Sequence, residues 1–357
     1  FLLIGMTSDF WVAEAFPWLS MLSSPHFTLG LAISCWVLPK LISSPMRQYK
    51  LLLPVYGFVL SVVMPFAIIV LFVLAIVVII WNYLETKEFK WKGMALFFLP
   101  AIAFMIYQYV SITRDPLLSQ WNAQNITNAP PLWDFIVSFS PALLCALFLV
   151  ISSTKDGWND DQGKIITTWL VCGVVLVYLP FSLQRRFMVG YYIPLAFAAI
   201  AYLHRFRSSM YLYLSIITLS WLTNIVLFAL FIFGTMSLSK EYYSEHDTRN
   251  LLRCIENSTL SSDTILAPEH ISKLVPAFTG RHVLIGHPME SVGAARLSAK
   301  VNQFYDGRAD FVDIRESCEC DIDYFVMPKD GTTTLVNTSN GYEICQTGNY
   351  VLFSLKR

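Results

Sequence analysis

Apolar segments joined by short polar loops make up the chain as far as about residue 236, and a mixed pattern typical of soluble domains follows. A membrane-crossing helix needs about 20 apolar residues, with a lower limit of about 17. Candidate spans lie at 27–42, 93–112, 133–153, 165–183, 187–204 and 210–233. The pattern predicts an α-helical polytopic membrane domain over residues 1–238, followed by a small α/β domain over residues 239–357.

The segment 51–80 is ambiguous, because its 30 residues carry no charge and are interrupted by Met64-Pro65. One tilted helix or two short helices would both fit. Lysine and arginine lie on both flanks, and basic residues collect on the cytoplasmic side of short loops. Both ends are therefore expected on the same side. Since proline also removes a backbone donor, we predict a hairpin with Pro65 at its outer turn.

Charge fixes the predicted orientation. With eight crossings, ten basic residues face the cytoplasm and three face outside, which agrees with the positive-inside rule. The ten are Lys40, Arg47, Lys50, Lys87, Lys90, Lys92, Lys155, Lys164, Arg205 and Arg207; the three are Arg114, Arg185 and Arg186. We therefore predict an integral membrane protein whose C-terminal domain is extracytoplasmic.

Composition supports a lipid environment. Hydrophobic residues make up 55% of the 357 residues and charged residues 14%, against about 45–50% and about 25% in soluble domains. The mean hydropathy is +0.53. The formal net charge is zero, and we expect membrane lipid, not nucleic acid, as a partner. Because the chain begins with Phe1 inside an apolar stretch, we expect it to be the C-terminal portion of a longer membrane protein.

The seven cysteines divide between the two regions. Three lie in predicted spans and four in the C-terminal domain, namely Cys35, Cys145 and Cys172, then Cys254, Cys318, Cys320 and Cys345. The four could form disulfides in an oxidising compartment or remain thiols. The Cys318-Glu-Cys320 spacing does not fit a zinc site, so no metal is predicted there. The sequence establishes no cofactor, although a divalent cation stays open as an alternative.

Arg185 and Arg186 are the main candidate site, because they lie in a predicted outer turn against the positive-inside rule. The arginine fork binds phosphate oxygens through two hydrogen bonds and stays charged near lipid. We therefore predict that these residues, with Gln184, bind a lipid-linked phosphate. The alternative is that they reach anionic phospholipid headgroups or pair with Asp115 or Asp134.

The other candidates lie in predicted outer segments. Asp9 and Glu14 precede the first span and are the candidate catalytic carboxylates, which would deprotonate an acceptor hydroxyl; the alternative is a solvated helix beside the membrane. His26 could contact substrate or simply begin a helix. Trp121 could stack on a sugar ring or anchor at the membrane interface, and Asn122 beside it is a further candidate for substrate binding.

The C-terminal domain is predicted from alternating patterns. We predict helices at 247–256, 269–278 and 291–305, and strands at 264–267, 282–285, 324–327, 342–346 and 350–355. The loop at Gly286-His287-Pro288 either presents His287 to a ligand or is a structural turn. Because the sequence has no glycine-rich phosphate loop, nucleophile elbow or zinc-protease motif, we predict a lid or acceptor-recognition module.

Several segments carry a resemblance to a known group of proteins. They are Ser8-Asp-Phe-Trp-Val-Ala-Glu-Ala-Phe-Pro, Ser24-Pro-His-Phe-Thr-Leu, Trp121-Asn-Ala-Gln-Asn-Ile-Thr, Pro180-Phe-Ser-Leu-Gln-Arg-Arg-Phe and Gly280-Arg-His-Val-Leu-Ile-Gly-His-Pro-Met-Glu. Over nearly its whole length the chain resembles bacterial multi-spanning proteins that are similar to polyprenyl-phosphate-sugar-dependent glycosyltransferases of the GT-C type. The resemblance implies an outward-facing site that transfers a sugar from a lipid phosphate. It also implies an essential acidic residue in an outer loop upstream of Phe1.

Two other functions stay open. A transporter or lipid flippase would also bind a lipid phosphate, but ion-coupled transporters often place carboxylates inside their spans. The interiors of these spans contain neither Asp nor Glu, with Asp134 at an edge, which argues against ion coupling. A non-catalytic membrane scaffold that displays the outer domain is the third interpretation.

Overall fold

The computed structural model describes residues 6–43, 49–89, 91–153, 160–207, 209–237, 245–287, 290–318, 320–329 and 341–356. The predicted domain boundary at residue 238 lies outside these ranges, as do Arg47, Lys90, Lys155 and Pro288. The chain divides into two compact units. The first contains Phe1–Asp115 and Ile126–Phe231, and the second contains Pro116–Asn125 and Ile232–Arg357. In this division 116–125 belongs with the second unit, and the first unit ends at Phe231.

Helices make up most of the described part of the first unit. They are α1 (Pro17–Ser23), α2 (Pro25–Ser43), α3 (Leu52–Val63), α4 (Pro65–Thr86), α5 (Lys92–Arg114), α7 (Leu132–Phe139), α8 (Ala142–Ser153), α9 (Asp161–Val177), α10 (Tyr192–Arg205) and α11 (Met210–Met236), with 3₁₀ helices at Ser8–Phe10 and Gln184–Met188. Helix α6 (Pro116–Gln124) belongs to the second unit.

Five helical segments of the described chain are long and apolar enough to cross a membrane. They are Pro25–Ile42, Pro65–Thr86, Lys92–Arg114, Gln184–Arg205 and Met210–Met236. A sixth is added if α7 and α8, which meet at a bend of 92°, count as one span. By the length and composition of these helices the chain is a membrane protein.

The predicted break at Met64-Pro65 is confirmed. Helix α3 ends at Val63 and α4 begins at Pro65, with Met64 extended between them at φ −154° and ψ 69°. Proline suits the first position of a helix, where its missing N–H has no partner to lose. A Cβ on Gly30 would overlap Met64 Sδ, so glycine allows α2 to pack against the break.

Contacts along α2 show the directions of its neighbours. Early in α2, Phe27 lies against Phe66 at the start of α4, with ring centroids 5.8 Å apart. Later in α2, Trp36 contacts Tyr56 of α3 at 4.8 Å, whereas Gly30 meets Met64 at the end of α3. Helix α3 therefore runs antiparallel to α2 and α4 runs parallel to it, so α3 and α4 run in opposite directions.

Two of the predicted spans form helices that are shorter than the apolar sequence segments from which they were predicted. The segment predicted at 165–183 ends its helix at Val177, and the one predicted at 187–204 becomes α-helical only at Tyr192. Pro180 disfavours helical backbone in the residue before it, and Gly190 has φ +58°, which favours glycine. The residues between the two helices form a folded turn, which hydropathy alone does not distinguish from helix.

The second unit contains a five-stranded sheet of order β2-β1-β3-β5-β4. Strands β1 (Thr264–Leu266), β2 (His282–Val283) and β3 (Tyr324–Pro328) are parallel, and β5 (Tyr350–Ser354) and β4 (Tyr342–Gln346) continue the sheet antiparallel. All five predicted strands are present, although β2 is shorter than predicted. One hydrophobic cluster contains Ile265 and Val326, and another contains Leu266 and Phe325, as expected for alternating side chains of a sheet covered on both faces.

The helices of the second unit match the prediction less closely. They are α12 (His246–Ser258), α13 (Glu269–Ser272), α14 (Leu274–Thr279), α15 (Ala294–Tyr305) and α16 (Phe311–Cys318). The helix predicted at 269–278 is divided at Lys273, and α6 and α16 were not predicted. Disulfides join Cys254 to Cys345 and Cys318 to Cys320, which decides the open alternative for these four cysteines.

Candidate functional site

The turn between α9 and α10 is held by backbone pairing with residues 127–129. Thr127 N donates to Ser182 O at 2.8 Å, and Arg185 N donates to Thr127 O at 3.0 Å. Gln184 fixes the same turn with its side chain, since Oε1 accepts from Ala129 N at 3.0 Å and Nε2 donates to Leu179 O at 2.8 Å. The amide of Gln184 therefore positions the arginines, and the second N–H of Nε2 is the group that its predicted contact with phosphate would use.

Glu14 is the carboxylate partner of both arginines. It is only 3% exposed, and its Oε1 accepts from Arg186 Nη1 at 2.7 Å and lies 4.0 Å from Arg185 Nε. The backbone joins the same region, because Gly190 N donates to Glu14 O at 2.8 Å. We call Glu14, Arg185 and Arg186 the arginine cluster. It carries one negative and two positive charges.

Arg185 has an unmet hydrogen-bonding requirement. Its guanidinium lies over the Trp11 ring, 4.8 Å from the centroid, an arrangement that favours a cation. The 4.0 Å separation from Glu14 is too long for a hydrogen bond, and within the described part of the chain the buried Nε has no hydrogen-bond partner. A buried unpaired donor costs about 1–3 kcal/mol. Such an atom is a reason to expect a ligand.

Arg186 combines its ion pair with aromatic contacts. Its guanidinium carbon lies 5.8 Å from the Phe27 ring centroid and 5.6 Å from that of Phe66. The side chains of Arg185 and Arg186 are 21% and 30% exposed. Both cations are thus held by fixed neighbours and still accessible to a second anion.

Asp134, which the sequence suggested as an alternative partner of the arginines, forms its hydrogen bonds with other residues. It is buried and accepts hydrogen bonds from Ser8 N at 2.8 Å, Ser8 Oγ at 2.7 Å and Ser138 Oγ at 2.9 Å. These donors satisfy the carboxylate and connect α7 to the first 3₁₀ helix. Asp134 therefore fixes the segment that carries Asp9 and leads to Glu14.

Asp9 differs from Glu14 in its surroundings. The Thr223 hydroxyl of α11 donates to Asp9 Oδ2, and Asp9 N donates to Ser138 Oγ at 3.4 Å. Among the described residues, the buried Oδ1 atom has no hydrogen-bond donor. Glu14 is held in an ion pair, whereas one carboxylate oxygen of Asp9 has no hydrogen-bond donor within the described chain.

The remaining predicted residues are divided between the units. His26 is exposed in the first turn of α2, with its ring 4.3 Å from that of Phe27, a position that fits a residue at a helix start. Trp121 and Asn122 lie on α6 in the second unit. Trp121 Nε1 donates to Glu290 Oε2 at 3.2 Å, and Asn122 is exposed.

Sequence reasoning missed three residues that contact or support these candidates. Trp11 lies under Arg185, Thr223 binds Asp9, and Thr127 has a buried hydroxyl for which the described chain provides no partner. Trp11 lies two residues after Asp9 in a segment already singled out, so aromatic character beside an outer-loop carboxylate was a usable signal. Thr223 offered no such signal, because a threonine inside an apolar span is common.

Metal ligation finds no support in the described part of the chain, where no group of three or more His, Cys, Asp or Glu side chains could hold an ion. The chain matches no protein-family model, and no curated protein is significantly similar to it. The resemblance to lipid-phosphate-sugar glycosyltransferases therefore stays a prediction that rests on the quoted segments.

Proposed function

We propose that the arginine cluster binds the phosphate of a polyprenyl-phosphate-linked sugar, and that the protein transfers this sugar to an acceptor on the outer face of the membrane. One observation carries the proposal. Two arginines share one buried carboxylate, and no described residue accepts a hydrogen bond from the buried Nε of Arg185. A phosphate would supply both the missing acceptor and the missing negative charge.

The transfer reaction assigns separate roles to the two predicted carboxylates. An acceptor hydroxyl attacks the anomeric carbon of the sugar while Asp9 takes the hydroxyl proton. The bond between that carbon and the phosphate oxygen breaks, and the lipid phosphate leaves with the electron pair. The arginines stabilise its charge. Glu14 orients the arginines, because its carboxylate is already engaged by Arg186.

Helix directions support the eight-crossing topology. At one end of the first unit, Phe27, Phe66 and Gly190 lie near the arginine cluster. At the other end, Lys164 at the start of α9 bonds Glu85 at the end of α4. If α3 counts as one crossing and the bent pair α7–α8 as another, the helices from α2 to α11, leaving out α6, would cross the membrane eight times in alternating directions. The cluster then faces outward, and Lys164 and Arg205 face the cytoplasm.

An extracytoplasmic second unit belongs to the same proposal. Its two disulfides are typical of proteins from oxidising compartments. With eight crossings the chain also leaves the membrane on the side of the arginine cluster. The second unit would then be available to recognise the acceptor.

The first experiment measures phosphate binding by the full chain in detergent. Arg185→Gln removes one cation while Arg186 still pairs with Glu14, so we expect folding to persist and affinity for polyprenyl phosphate to fall at least about 10-fold. Arg114→Gln, the same change at the other arginine predicted to face outside, is the control and should bind as the wild type does. Equal binding by wild type and Arg185→Gln would refute the phosphate site.

The second experiment separates transfer from transport. In the assay, a panel of polyprenyl-phosphate hexoses is incubated with membrane extract, and the polyprenyl phosphate that is released is measured. Asp9→Asn should still bind polyprenyl phosphate but should no longer release it from these donors. Asp306→Asn, an exposed carboxylate in the second unit, is the matched control. A flippase or scaffold would bind the lipid without releasing it from its sugar, and Asp9→Asn would then have no activity to remove.

A further inference from the structure

Helix α11 packs against two side chains that precede α2 in the chain. The Thr223 hydroxyl donates to Asp9 Oδ2. Five residues further along α11, the ring of Phe228 lies 6.3 Å from the ring of Trp18 in α1. Because an α-helix rises about 1.5 Å per residue, these two contacts are about 7.5 Å apart along the axis of α11.

Asp9 and Trp18 each have one buried polar atom that lacks a partner. Within the described chain neither Asp9 Oδ1 nor Trp18 Nε1 forms a hydrogen bond. Buried polar atoms are normally hydrogen-bonded, so each exception needs an explanation. Both residues are partly exposed as a whole, which places the two atoms just beneath the surface. A ligand bound at that surface is therefore the explanation that we develop.

The two atoms need opposite partners, because a carboxylate oxygen accepts hydrogen bonds and an indole N–H donates them. A phosphate would suit Trp18 but would be repelled by the Asp9 carboxylate, and an ammonium group would suit Asp9 but cannot accept from the indole. A hydroxyl group both donates and accepts. One hydroxyl bridges atoms up to about 6 Å apart, which is less than the spacing of the two contacts on α11. The pattern therefore favours a molecule with several hydroxyls, which is the chemistry of a carbohydrate.

The groups that surround Asp9 are themselves hydroxyls. Asp9 N donates to Ser138 Oγ at 3.4 Å, and Thr223 binds the carboxylate. Tyr192, whose side chain is hydrogen-bonded to that of Ser220, lies close enough to interact with the charge of Asp9. Hydroxyls solvate a carboxylate without neutralising it, so a second negative charge on the ligand would be repelled. These surroundings favour an uncharged ligand.

This place adjoins the arginine cluster. Trp11 lies two residues after Asp9, is 41% exposed and contacts the Arg185 guanidinium with its ring. Glu14, the partner of both arginines, lies four residues before Trp18. A molecule held by Asp9 and Trp18 would therefore lie beside a sugar whose phosphate the arginines bind.

We propose that the acceptor is a neutral carbohydrate bound by Asp9 and Trp18 beside α11. Its attacking hydroxyl donates to Asp9 Oδ1, and a second hydroxyl accepts from Trp18 Nε1. The inference rests on the proposed sugar transfer, because it names the acceptor of that reaction. Trp18 becomes an acceptor-binding residue, a role that a phenylalanine at this position could not fill.

Saturation-transfer NMR of the full chain, in a detergent without a sugar headgroup, tests the proposal. The probes are neutral oligosaccharides built from glucose, galactose, mannose or N-acetylglucosamine. We expect at least one of them to bind the wild type. Trp18→Phe removes the N–H and keeps an aromatic ring, and it should weaken that binding at least about 5-fold. Trp133→Phe, the same change at an exposed position of α7, is the matched control and should bind as the wild type does.

A second variant makes the test independent of the tryptophan. Asp9→Ala removes the acceptor oxygen and should weaken binding of the same oligosaccharide by a similar factor. Thermal unfolding of each variant shows whether it is folded. Glucuronate-containing oligosaccharides and a long-chain alcohol serve as competitors, and both should displace the neutral oligosaccharide poorly.

Three results would overturn the proposal. None of the neutral oligosaccharides would bind the wild type, both folded variants would bind as the wild type does, or a glucuronate oligosaccharide or the alcohol would bind more tightly than any neutral sugar. Arg185→Gln separates this site from the phosphate site, because it should weaken polyprenyl phosphate binding and leave oligosaccharide binding unchanged. A wild type that binds the oligosaccharide but not polyprenyl phosphate would refute the phosphate site alone.

Discussion

The two ends of the first unit each hold a buried ion pair, but the pairs are built differently. At one end Lys164 is buried, and its Nζ donates to Asn82 Oδ1 at 2.8 Å and to Glu85 Oε2 at 2.5 Å, while Glu85 is 43% exposed. At the other end the carboxylate of Glu14 is the buried group and two arginines compete for it.

The difference separates a structural pair from a candidate binding site. The side chain of Lys164 is a single cation that donates to two acceptors, and these hydrogen bonds join α4 to α9. The arginine cluster has an excess of cation, and within the described chain the buried Arg185 Nε lacks an acceptor. Burial of charge alone therefore does not distinguish the two ends, whereas an unsatisfied donor beside that charge does.

The largest expected effect comes from Glu14→Gln. This change leaves two adjacent arginines without their carboxylate, and removing one partner of a buried pair costs about 3 kcal/mol. Equilibrium unfolding in a denaturing detergent measures the loss. Added phosphate should restore part of the stability, because it replaces the missing anion; a Glu14→Gln variant as stable as wild type would contradict the assignment.

Binding of polyprenyl phosphate should stabilise only the end of the first unit that holds the arginine cluster. Polyprenyl phosphate at about 100 times its dissociation constant should raise the free energy of unfolding by about 2.7 kcal/mol. We expect this gain in the wild type and in Lys164→Met, and its loss in Arg185→Gln. A gain in all three proteins would show that the lipid acts at some other place.

Lys164→Met should have a smaller effect on stability than Glu14→Gln. The methionine fills a similar volume without a charge, and the Glu85 carboxylate that remains is partly exposed and can be hydrated. We expect a cost of about 1–2 kcal/mol, which includes the unpaired Asn82 Oδ1. The same unfolding measurement applies, and a cost equal to that of Glu14→Gln would remove the distinction between the two ends.

The second unit provides the smallest expected effect, at an ion pair whose cation, Lys356, is partly exposed and whose carboxylate, Asp263, is buried. The hydrogen bond to buried Asp263 raises the pKa of Lys356, which also lies 3.2 Å from Asp323 Oδ1. Burial raises the pKa of Asp263, but hydrogen bonds from Lys356 and Leu260 N outweigh burial and leave that pKa lowered.

The pH dependence follows from these directions. Stability from Asp263 should be lost as pH falls through its lowered pKa, and stability from Lys356 should be lost as pH rises through its raised pKa. Because Lys356 is 43% exposed, solvent screens this ion pair, and after Lys356→Ala the buried Asp263 still accepts a hydrogen bond from Leu260 N. We therefore expect a cost of about 1 kcal/mol at neutral pH. Hydrogen exchange of the β1 backbone amides, measured over a range of pH, reports this loss of stability. An increase of stability above pH 10 would contradict the predicted direction of the pH dependence.

The sequence predicted features that depend on local pattern. The break at Met64-Pro65, the strands of the second unit and the unusual Arg185-Arg186 pair were all readable from hydropathy, proline and charge. The partner of the arginines was not, because Glu14 lies 172 residues from Arg186 in the chain. Nor could the pattern show that Asp9 keeps an unpaired oxygen among the described residues, since that depends on how α11 packs.

The placement of α6 has a consequence for the order in which the protein is made. Its hydrogen bond from Trp121 reaches Glu290, 169 residues later in the chain, and Gln124 donates to Ser291 O at 2.9 Å. During synthesis α6 emerges well before these partners exist, so the second unit can close only after all following spans have been made. A fragment that begins at residue 245 would lack α6, and Glu290 and Ser291 would lose these two donors.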